Sequence, residues 1–262
     1  MPPCLMAQEP RKVDLVSKIS LFIPCFVDQF TPEVGVDMTR VLRRVGYVVD
    51  FPEAQTCCGQ PAFNTGYWDE ARPVAERFLA VFRNAEAIVC PSASCTTMVR
   101  NFYPELLRET RFAEEAIALG KRVFEFSEFL VNVANVADVG ASFPHRVTYH
   151  DSCHALRELH LKDQPRRLLR NVRGLELVEM AYNEDCCGFG GTFATKFGMI
   201  SAAMGDTKAG NAEGSGAEYV ASTDPSCLLH IEGILRRRKS GVRTIHIASI
   251  LAHTDGAAAK PA

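Results

Sequence analysis

One cysteine pattern occurs twice in this chain. Each copy has a single cysteine, then two adjacent cysteines followed by glycine, then another single cysteine. The first set is Cys25, Cys57, Cys58 and Cys95, and the second set is Cys153, Cys186, Cys187 and Cys227. Corresponding cysteines are separated by 128, 129, 129 and 132 positions, so eight of the ten cysteines follow one internal repeat. Because thiolates are soft ligands, this repeat predicts two metal or redox sites.

The repeat also divides the chain. Its offset is about half of the 262 residues, so we predict two domains, at 18–135 and 143–253, with a junction near 136–142. The 29 basic and 31 acidic residues are interspersed and give a formal net charge of -2. Such a balance does not favour nucleic acid as the partner.

The first residues lack the basic region and the continuous apolar stretch of a secretory signal. No segment approaches the ~20 apolar residues that a membrane-spanning helix needs. We therefore expect a cytoplasmic protein without a transmembrane segment. Cysteines in a reducing compartment more often bind metal or carry out redox chemistry than form structural disulfides. Cys4 and Cys90 lie outside the repeat and are expected to be ordinary side chains, with the tail after His253 disordered.

Apolar segments alternate with amphipathic ones in both halves. Strands are predicted at 19–24, 47–51, 87–90, 146–150, 175–180 and 218–222, and the segment 122–130 recurs at 243–251. Helices are predicted from Pro32 to Gly46, at 67–84, from Cys95, at 164–172 and from Cys227 to Lys239. This alternation predicts an α/β fold of two pseudo-symmetric repeats, each a mostly parallel sheet flanked by helices. Each cysteine of the two sets then follows the carboxyl end of a strand, where such sheets gather ligands.

Donor sets made only of sulfur suit iron–sulfur clusters and zinc. Structural zinc sites usually use closely spaced cysteine pairs, whereas these cysteines come from three distant loops with an adjacent pair in the middle. The spacing therefore favours one or two iron–sulfur clusters, most simply [4Fe–4S], with zinc and dithiol chemistry as alternatives. The glycine after each pair would let the backbone approach the inorganic core closely.

Two segments carry a family resemblance. Residues 22–30, FIPCFVDQF, and residues 51–64, FPEAQTCCGQPAFN, resemble the lactate utilisation protein A family. The double pattern is also similar to the wider cysteine-rich family that includes the cysteine-rich component of heterodisulfide reductase and the iron–sulfur component of glycolate oxidase. The resemblance extends from about Lys18 to Leu251. It implies a cytoplasmic iron–sulfur protein that works with two companion proteins in oxidising L-lactate to pyruvate and passes electrons to an unidentified acceptor.

The sequence departs from the wider family at two positions. Relatives often end each motif as CxxC, but Ser92 and Asp224 stand three positions before Cys95 and Cys227. A fifth thiolate is thus missing from each half, which favours four-thiolate centres. Cys90 or Asp224 could supply a substitute ligand.

The two halves also differ next to their first cysteine. The second half places His150, Asp151, His154 and Arg157 around Cys153. These residues either move protons and hold a carboxylate, or hydrogen-bond to sulfur and backbone and adjust a potential. The glycine-rich residues 188–192 lack the Lys-Ser/Thr of a phosphate loop and are expected to pack around a cluster.

The repeated cysteines predict an electron-transfer subunit, and the resemblance implies that its complex oxidises L-lactate, with substrate chemistry possible elsewhere in the complex. No G-x-G-x-x-G follows the first strand, so a nicotinamide or flavin site is not predicted. Two alternatives stay open, a zinc-stabilised structural module and a cluster-based thiol or disulfide reductase subunit. The basic residues 236–239 are expected to form a solvated helix end, with docking of an acidic partner as the alternative.

Overall fold

The computed structural model describes residues 18–254, so Cys4 and the tail from residue 255 onward lie outside it. Within this range, eight strands form two four-stranded parallel sheets. The strands are β1 (Lys18–Leu21), β2 (Val48–Asp50), β3 (Ile88–Cys90), β4 (Val123–Glu125), β5 (Arg146–Tyr149), β6 (Glu176–Leu177), β7 (Tyr219–Ser222) and β8 (Arg243–His246). The predicted α/β fold of two repeats is confirmed.

Helices connect the strands of both sheets. In the first half they are α1 (Cys25–Phe30), α2 (Pro32–Arg44), α3 (Gln60–Thr65), α4 (Trp68–Phe82), α5 (Ala93–Thr97), α6 (Tyr103–Leu106), α7 (Ala113–Gly120) and α8 (Phe126–Glu128). In the second half they are α9 (Asp163–Arg170), α10 (Thr192–Lys196), α11 (Gly198–Gly214), α12 (Pro225–Arg237) and α13 (Ile247–Ala252). Between residues 18 and 254, three π-helical segments cover Met98–Phe102, Phe129–Val133 and His154–Glu158.

The strand order explains where the cysteines meet. The two sheets run β2-β1-β3-β4 and β6-β5-β7-β8, so in each sheet the first strand lies between the second and the third. The chain therefore leaves the first strand toward one side and returns on the other. In parallel sheets such a reversal opens a crevice at the carboxyl ends of the strands. The loops that carry the cysteines follow these three neighbouring strands in each half.

The two halves share one apolar core. Helix α2 begins at Pro32, whose fixed φ suits a first helical turn, and it buries Val34, Met38, Val41 and Leu42. This face packs against α13, which buries Ile247, Ile250 and Leu251. The Arg44 guanidinium reinforces the contact by donating to the carbonyls of Val139 (3.1 Å), Leu251 (2.9 Å) and Ala252 (2.8 Å). Burial of apolar surface thus fixes one half against the other.

Several element boundaries differ from the sequence prediction. The predicted strands 19–24 and 175–180 shorten to Lys18–Leu21 and Glu176–Leu177, because the chain leaves the sheet before reaching its cysteines. The helix expected from Cys95 begins at Ala93. Seven helices in the described part of the chain were not predicted, namely α1, α3, α7, α8, α10, α11 and α13. Helix α11 contains four glycines that obscure its periodicity. No helix among residues 18–254 is long and apolar enough to span a bilayer.

Candidate cysteine-ligated sites

The four cysteines of the first set converge at the carboxyl ends of β1, β2 and β3. The Sγ atoms of Cys25 and Cys57 lie 3.5 Å apart. Cys58 lies close enough to Cys57 and to Cys95 for the thiols to interact electrostatically. Cys58 and Cys95 are buried, whereas Cys25 and Cys57 are half-buried. The first set is therefore a compact group of four sulfur atoms with one side near solvent.

The second set repeats this arrangement. Thiol contacts run from Cys153 to Cys186, from Cys186 to Cys187, and from Cys187 to Cys227. Again the first two members are half-buried and the last two are buried. The nine cysteines among the described residues are all free thiols. The structure thus brings all eight candidate residues together in two groups of four.

The electrostatics of each group suit a cation. Hydrogen bonds from the Cys25 and Cys58 thiols lower the pKa of Cys57 to about 3. The same contact with Cys57 and burial raise the pKa of Cys25. In the second set, hydrogen bonds from Cys153 and Cys187 lower the pKa of Cys186 to about 2. Each group can stabilise one thiolate by itself, but further thiolates repel one another unless a metal neutralises them.

The glycine after each cysteine pair has a defined geometric role. Gly59 has φ 81° and Gly188 has φ 94°, values that residues with a Cβ rarely adopt. This conformation turns the glycine N–H toward the first cysteine of the pair, at 3.4 Å from Cys57 Sγ and 3.3 Å from Cys186 Sγ. A Cβ on Gly188 would also lie 2.6 Å from the Ser201 carbonyl oxygen. The glycines therefore hold the paired cysteines in place and give each pair a backbone hydrogen bond.

The last cysteine of each set lies in the first turn of a helix. Cys227 belongs to the 13-residue helix α12, whose N-terminus begins at Pro225. Cys95 occupies the corresponding place in α5, which continues through a π-helical segment into α6. The positive end of a helix dipole favours a nearby thiolate. Helix placement and glycine N–H groups thus act in the same direction.

The candidate substitute ligands have other contacts. Asp224 caps α12, with Oδ1 accepting from the Ser226 N–H (3.2 Å) and Oδ2 accepting from the Ser94 N–H (2.9 Å) across the two halves. Cys90 is fully buried in the apolar core, and its Sγ lies 3.6 Å from the Ser92 carbonyl oxygen. Burial raises the pKa of Cys90. These contacts account for both side chains without a ligand role.

The polar residues beside Cys153 fall into different positions. Asp151 is buried and accepts two hydrogen bonds from the Arg166 guanidinium, at 2.8 and 2.7 Å. Arg166 also donates to Glu179, at 2.7 and 3.0 Å, and thereby ties the segment before Cys186 to α9. Arg157 is exposed. Asp151 is therefore part of a structural ion-pair network, in which Arg166 was not anticipated from the sequence.

His154 lies between the two sets. Its Nδ1 is 3.6 Å from Cys153 Sγ, and its Nε2 is 3.4 Å from Gln60 Nε2. Because Gln60 Nε2 also lies 3.2 Å from the Ser94 carbonyl oxygen, this atom is the amide nitrogen and can only donate. His154 Nε2 is then the acceptor, and Nδ1 carries the proton that points to the sulfur. A hydrogen-bonded chain thus runs from Cys153 of the second set to Gln60 and Ser94, which are sequence neighbours of the first set.

The two cysteine loops also contact each other directly. The ring of Phe26, which follows Cys25, meets the ring of Phe189, which follows Gly188. The two rings pack edge to face with centroids 5.5 Å apart. Gln60 belongs to the motif noted in the sequence, but its contact with His154 depends on how the two halves pack together. Its position directly after the Cys-Cys-Gly element was the one signal available.

The fold and these sites define a class: a duplicated cysteine-rich protein with two four-thiol groups at the carboxyl edges of parallel sheets. The CCG cysteine-rich domain family matches the chain at residues 19–100 and 147–232. A lactate utilization protein A of Geobacillus kaustophilus (strain HTA426) is 46% identical over 235 residues, covering 89% of this chain and 98% of that protein. That of Geobacillus thermodenitrificans (strain NG80-2) is 45% identical, covering 91% and 100%.

A lactate utilization protein A 2 of Bacillus cereus (strain 03BB102) is 41% identical over 236 residues, covering 90% of this chain and 98% of that protein. The chain therefore belongs to the lactate utilization protein A family. A crystal structure of a hypothetical protein from Helicobacter pylori matches with a TM-score of 0.58 and 10% identity, covering 96% of this chain and 52% of that one. At this identity the match shows a shared fold only.

Proposed function

We propose that this chain is an iron–sulfur electron-transfer subunit in the oxidation of L-lactate to pyruvate, acting in the cytoplasm with two companion proteins. The convergence of the two cysteine sets is the observation that carries this proposal. The lactate part rests on the names of the relatives that are 41–46% identical to the chain.

The residues divide into ligands and supporting groups. Cys25, Cys57, Cys58 and Cys95 would hold one [4Fe–4S] cluster, and Cys153, Cys186, Cys187 and Cys227 would hold the other. When bound, clusters of this kind supply one-electron transfer. The glycine N–H groups and the His154 Nδ1–H would donate hydrogen bonds to the cysteine sulfurs. The buried cysteines of each set would keep water from the inner side of the cluster.

The stoichiometry of the reaction suits two centres in one chain. Oxidation of lactate to pyruvate releases two electrons and two protons. Two one-electron centres can accept both electrons from a companion that oxidises lactate and release them one at a time to a one-electron acceptor protein. Gln60 and His154 place a hydrogen-bonded contact between the two centres. Electrons would therefore pass within the chain as well as between proteins.

One zinc ion per set is the second candidate, in which the chain is a structural module of a multiprotein complex. The distance of 3.5 Å between the Sγ atoms of Cys25 and Cys57 favours it. Two thiolates on one tetrahedral zinc, with bonds of about 2.3 Å, lie about 3.8 Å apart. The two candidates differ in metal and in inorganic sulfide.

Metal and sulfide analysis of anaerobically purified protein tests the proposal. We expect about eight iron and eight sulfide per chain, and an electron paramagnetic resonance (EPR) signal after reduction. Cys95→Ala and Cys227→Ala should each remove one cluster, whereas the matched control Cys90→Ala should retain both. Zinc without sulfide would support the structural module. Equal iron loss in all three variants would contradict the assignment of the eight ligands.

Reconstitution with the companions tests the reaction. Lactate alone should not reduce the clusters of the isolated chain, because the substrate is oxidised elsewhere. Lactate together with the two companion proteins should reduce them, and glycolate serves as the comparison substrate. Reduction by neither substrate in the complete mixture would remove the assignment to 2-hydroxy acid oxidation.

A further inference from the structure

His150 lies directly after β5, at the centre of the second sheet's carboxyl edge. It is 0% exposed, and within residues 18–254 neither ring nitrogen has a hydrogen-bond partner. Leaving a buried polar group without a partner costs about 1–3 kcal/mol, so such groups are rare in folded proteins. An imidazole with both nitrogens unpaired therefore indicates a partner that does not belong to the polypeptide.

The position of the ring shows where that partner lies. A ring nitrogen of His150 and the Sγ atoms of Cys187 and Cys227 all lie within 4.8 Å of one another. These are the two buried thiols of the second set. Imidazole nitrogen is a good ligand for iron and zinc, alone or beside thiolates. The nitrogen thus completes a mixed nitrogen and sulfur donor group on the inner side of this set.

The neighbouring polar groups are engaged with other partners. The Lys208 ammonium donates to the Tyr182 carbonyl oxygen, and the Asp224 carboxylate accepts from Ser94 and Ser226. The Asn183 carbonyl lies near the ring but outside hydrogen-bond geometry, and its oxygen accepts from the Asp151 N–H at 3.2 Å. The sulfur atoms of Cys187 and Cys227 lie within 4.8 Å of a ring nitrogen, and the charge of Cys186 also acts on the ring.

The first half has no such group. Phe22 lies 128 positions before His150, the same offset that relates Cys25 to Cys153. Phe22 is also fully buried, but its ring packs edge to face on Phe78 and Phe82, with centroids 4.8 and 5.9 Å away. The repeat therefore places an apolar ring at the position where the second half places an imidazole.

We propose that His150 is a nitrogen ligand of the metal centre held by Cys153, Cys186, Cys187 and Cys227, so that the two centres of the chain have different donor sets. This inference rests on the proposed function in that it requires a metal in the second set. The four thiolates of each set supply one ligand for each of the four irons of a [4Fe–4S] cluster. In the second centre the imidazole would therefore be a fifth ligand, which shares an iron with a thiolate.

Pulsed EPR on the reduced, iron-loaded full chain tests this ligand. We expect a strongly coupled nitrogen in the signal of one of the two centres, and labelling the protein with ¹⁵N-histidine should change that coupling. His150→Phe, which copies the first half, should abolish the coupling and leave the signal of the first centre unchanged. His246→Asn removes another buried imidazole of the same half, and His154→Gln removes the imidazole beside Cys153. Both control variants should retain the coupling.

The outcomes separate the two proposals. Protein without iron or sulfide would contradict the proposed function. Iron-loaded protein whose strong nitrogen coupling is absent, insensitive to histidine labelling, or retained in His150→Phe would overturn the ligand assignment alone. Labelling uses the unmodified chain, so the test holds even if His150→Phe does not fold.

Discussion

The two halves of the molecule hold similar groups of four thiols in different surroundings. Around the first set lie apolar side chains, among them Phe22, Leu79 and Tyr103. Around the second lie His150, Asp151, Arg166, Lys208 and Asp224, all buried. Leu79 and Lys208 are related by the same 129 positions as the cysteine pairs, yet one is aliphatic and the other carries an ammonium group that is 1% exposed.

This difference shows which features a ligand set requires. Convergence of the cysteines needs the strand order, the glycine conformation and the helix N-termini, and both halves keep all three. The buried neighbours do not affect convergence, so they can differ. Because charge and hydrogen bonding to sulfur adjust the potential of an iron–sulfur centre, we expect the two centres to have different potentials.

The largest expected effect comes from the ion pair of the second half. Arg166→Met leaves Asp151 buried without a partner and should lower the free energy of unfolding by about 3–5 kcal/mol. Arg100→Met is the matched control in the first half, since its more exposed pair with Glu128 (2.6 Å) should contribute only about 1 kcal/mol. Urea unfolding followed by circular dichroism measures both.

A second variant separates charge burial from packing. Asp151→Ile combined with Arg166→Met copies Ile23 of the first half and should recover most of the lost stability. No unpaired charge then remains buried, because Glu179, the other partner of Arg166, has a side chain that is 44% exposed. Equal losses of stability in Arg166→Met and Arg100→Met would mean that the buried pair of Asp151 and Arg166 contributes no more than the more exposed pair of the first half.

The two glycines give the next largest effect. Alanine at either position must adopt a positive φ, at a cost of about 1–2 kcal/mol. At Gly188 the new Cβ would also meet the Ser201 oxygen at 2.6 Å and Met204 Cβ at 2.8 Å, whereas at Gly59 its nearest contact is 3.4 Å. We expect Gly188→Ala to destabilise the protein by about 3 kcal/mol or more and to lose the second centre. Thermal unfolding and iron content measure this, and similar results for Gly59→Ala would contradict it.

A pH comparison uses the equivalent helix caps Glu125 and His246. Burial raises the pKa of Glu125 from 4.5 to about 8, so its neutral form stabilises the fold below pH 4.5 and that contribution is lost as pH rises toward 8. Burial lowers the pKa of His246 from 6.5 to about 4, so its contribution is present above pH 6.5 and is lost as pH falls toward 4.

Each group changes the stability by at most about 1.4 kcal/mol per pH unit within its window. Glu125→Gln should therefore reduce the fall in stability between pH 4.5 and 8, and His246→Asn should reduce the fall between pH 6.5 and 4. Urea unfolding across this pH range measures both slopes. Unchanged slopes in both variants would show that these two groups do not control the pH dependence.

The smallest effect is expected at the contact between the sets. Gln60→Ala removes a donor to His154 and to the Ser94 carbonyl and should cost about 0.5–1.5 kcal/mol. A double-mutant cycle with His154→Ala should give a coupling energy, because the two side chains contact each other. Redox titration should show that Gln60→Ala shifts the midpoint potential of the second centre. Additive effects would indicate that the contact has no energetic role.

The sequence by itself determined the repeat, the fold class and the eight candidate ligands. The nearly equal spacing, the strands that end before each cysteine and the glycine after each pair are local features, and local features can be recognised from the sequence alone. The sequence also located His150 and His154, but it left their roles open. It did not reveal α11, since the glycines of this helix weaken the apolar periodicity on which helix prediction depends.

Only the tertiary structure decided what the side chains around the sets do. Asp151 is bound by Arg166, Asp224 reaches Ser94 of the other half, and His154 meets Gln60, pairs that are 15 to 130 positions apart in the chain. Such contacts depend on how the shared core of α2 and α13 packs the two halves together. The physical reason is that ligand spacing is encoded within each repeat, whereas the hydrogen-bond partners of a buried polar group are set by whatever the fold brings beside it.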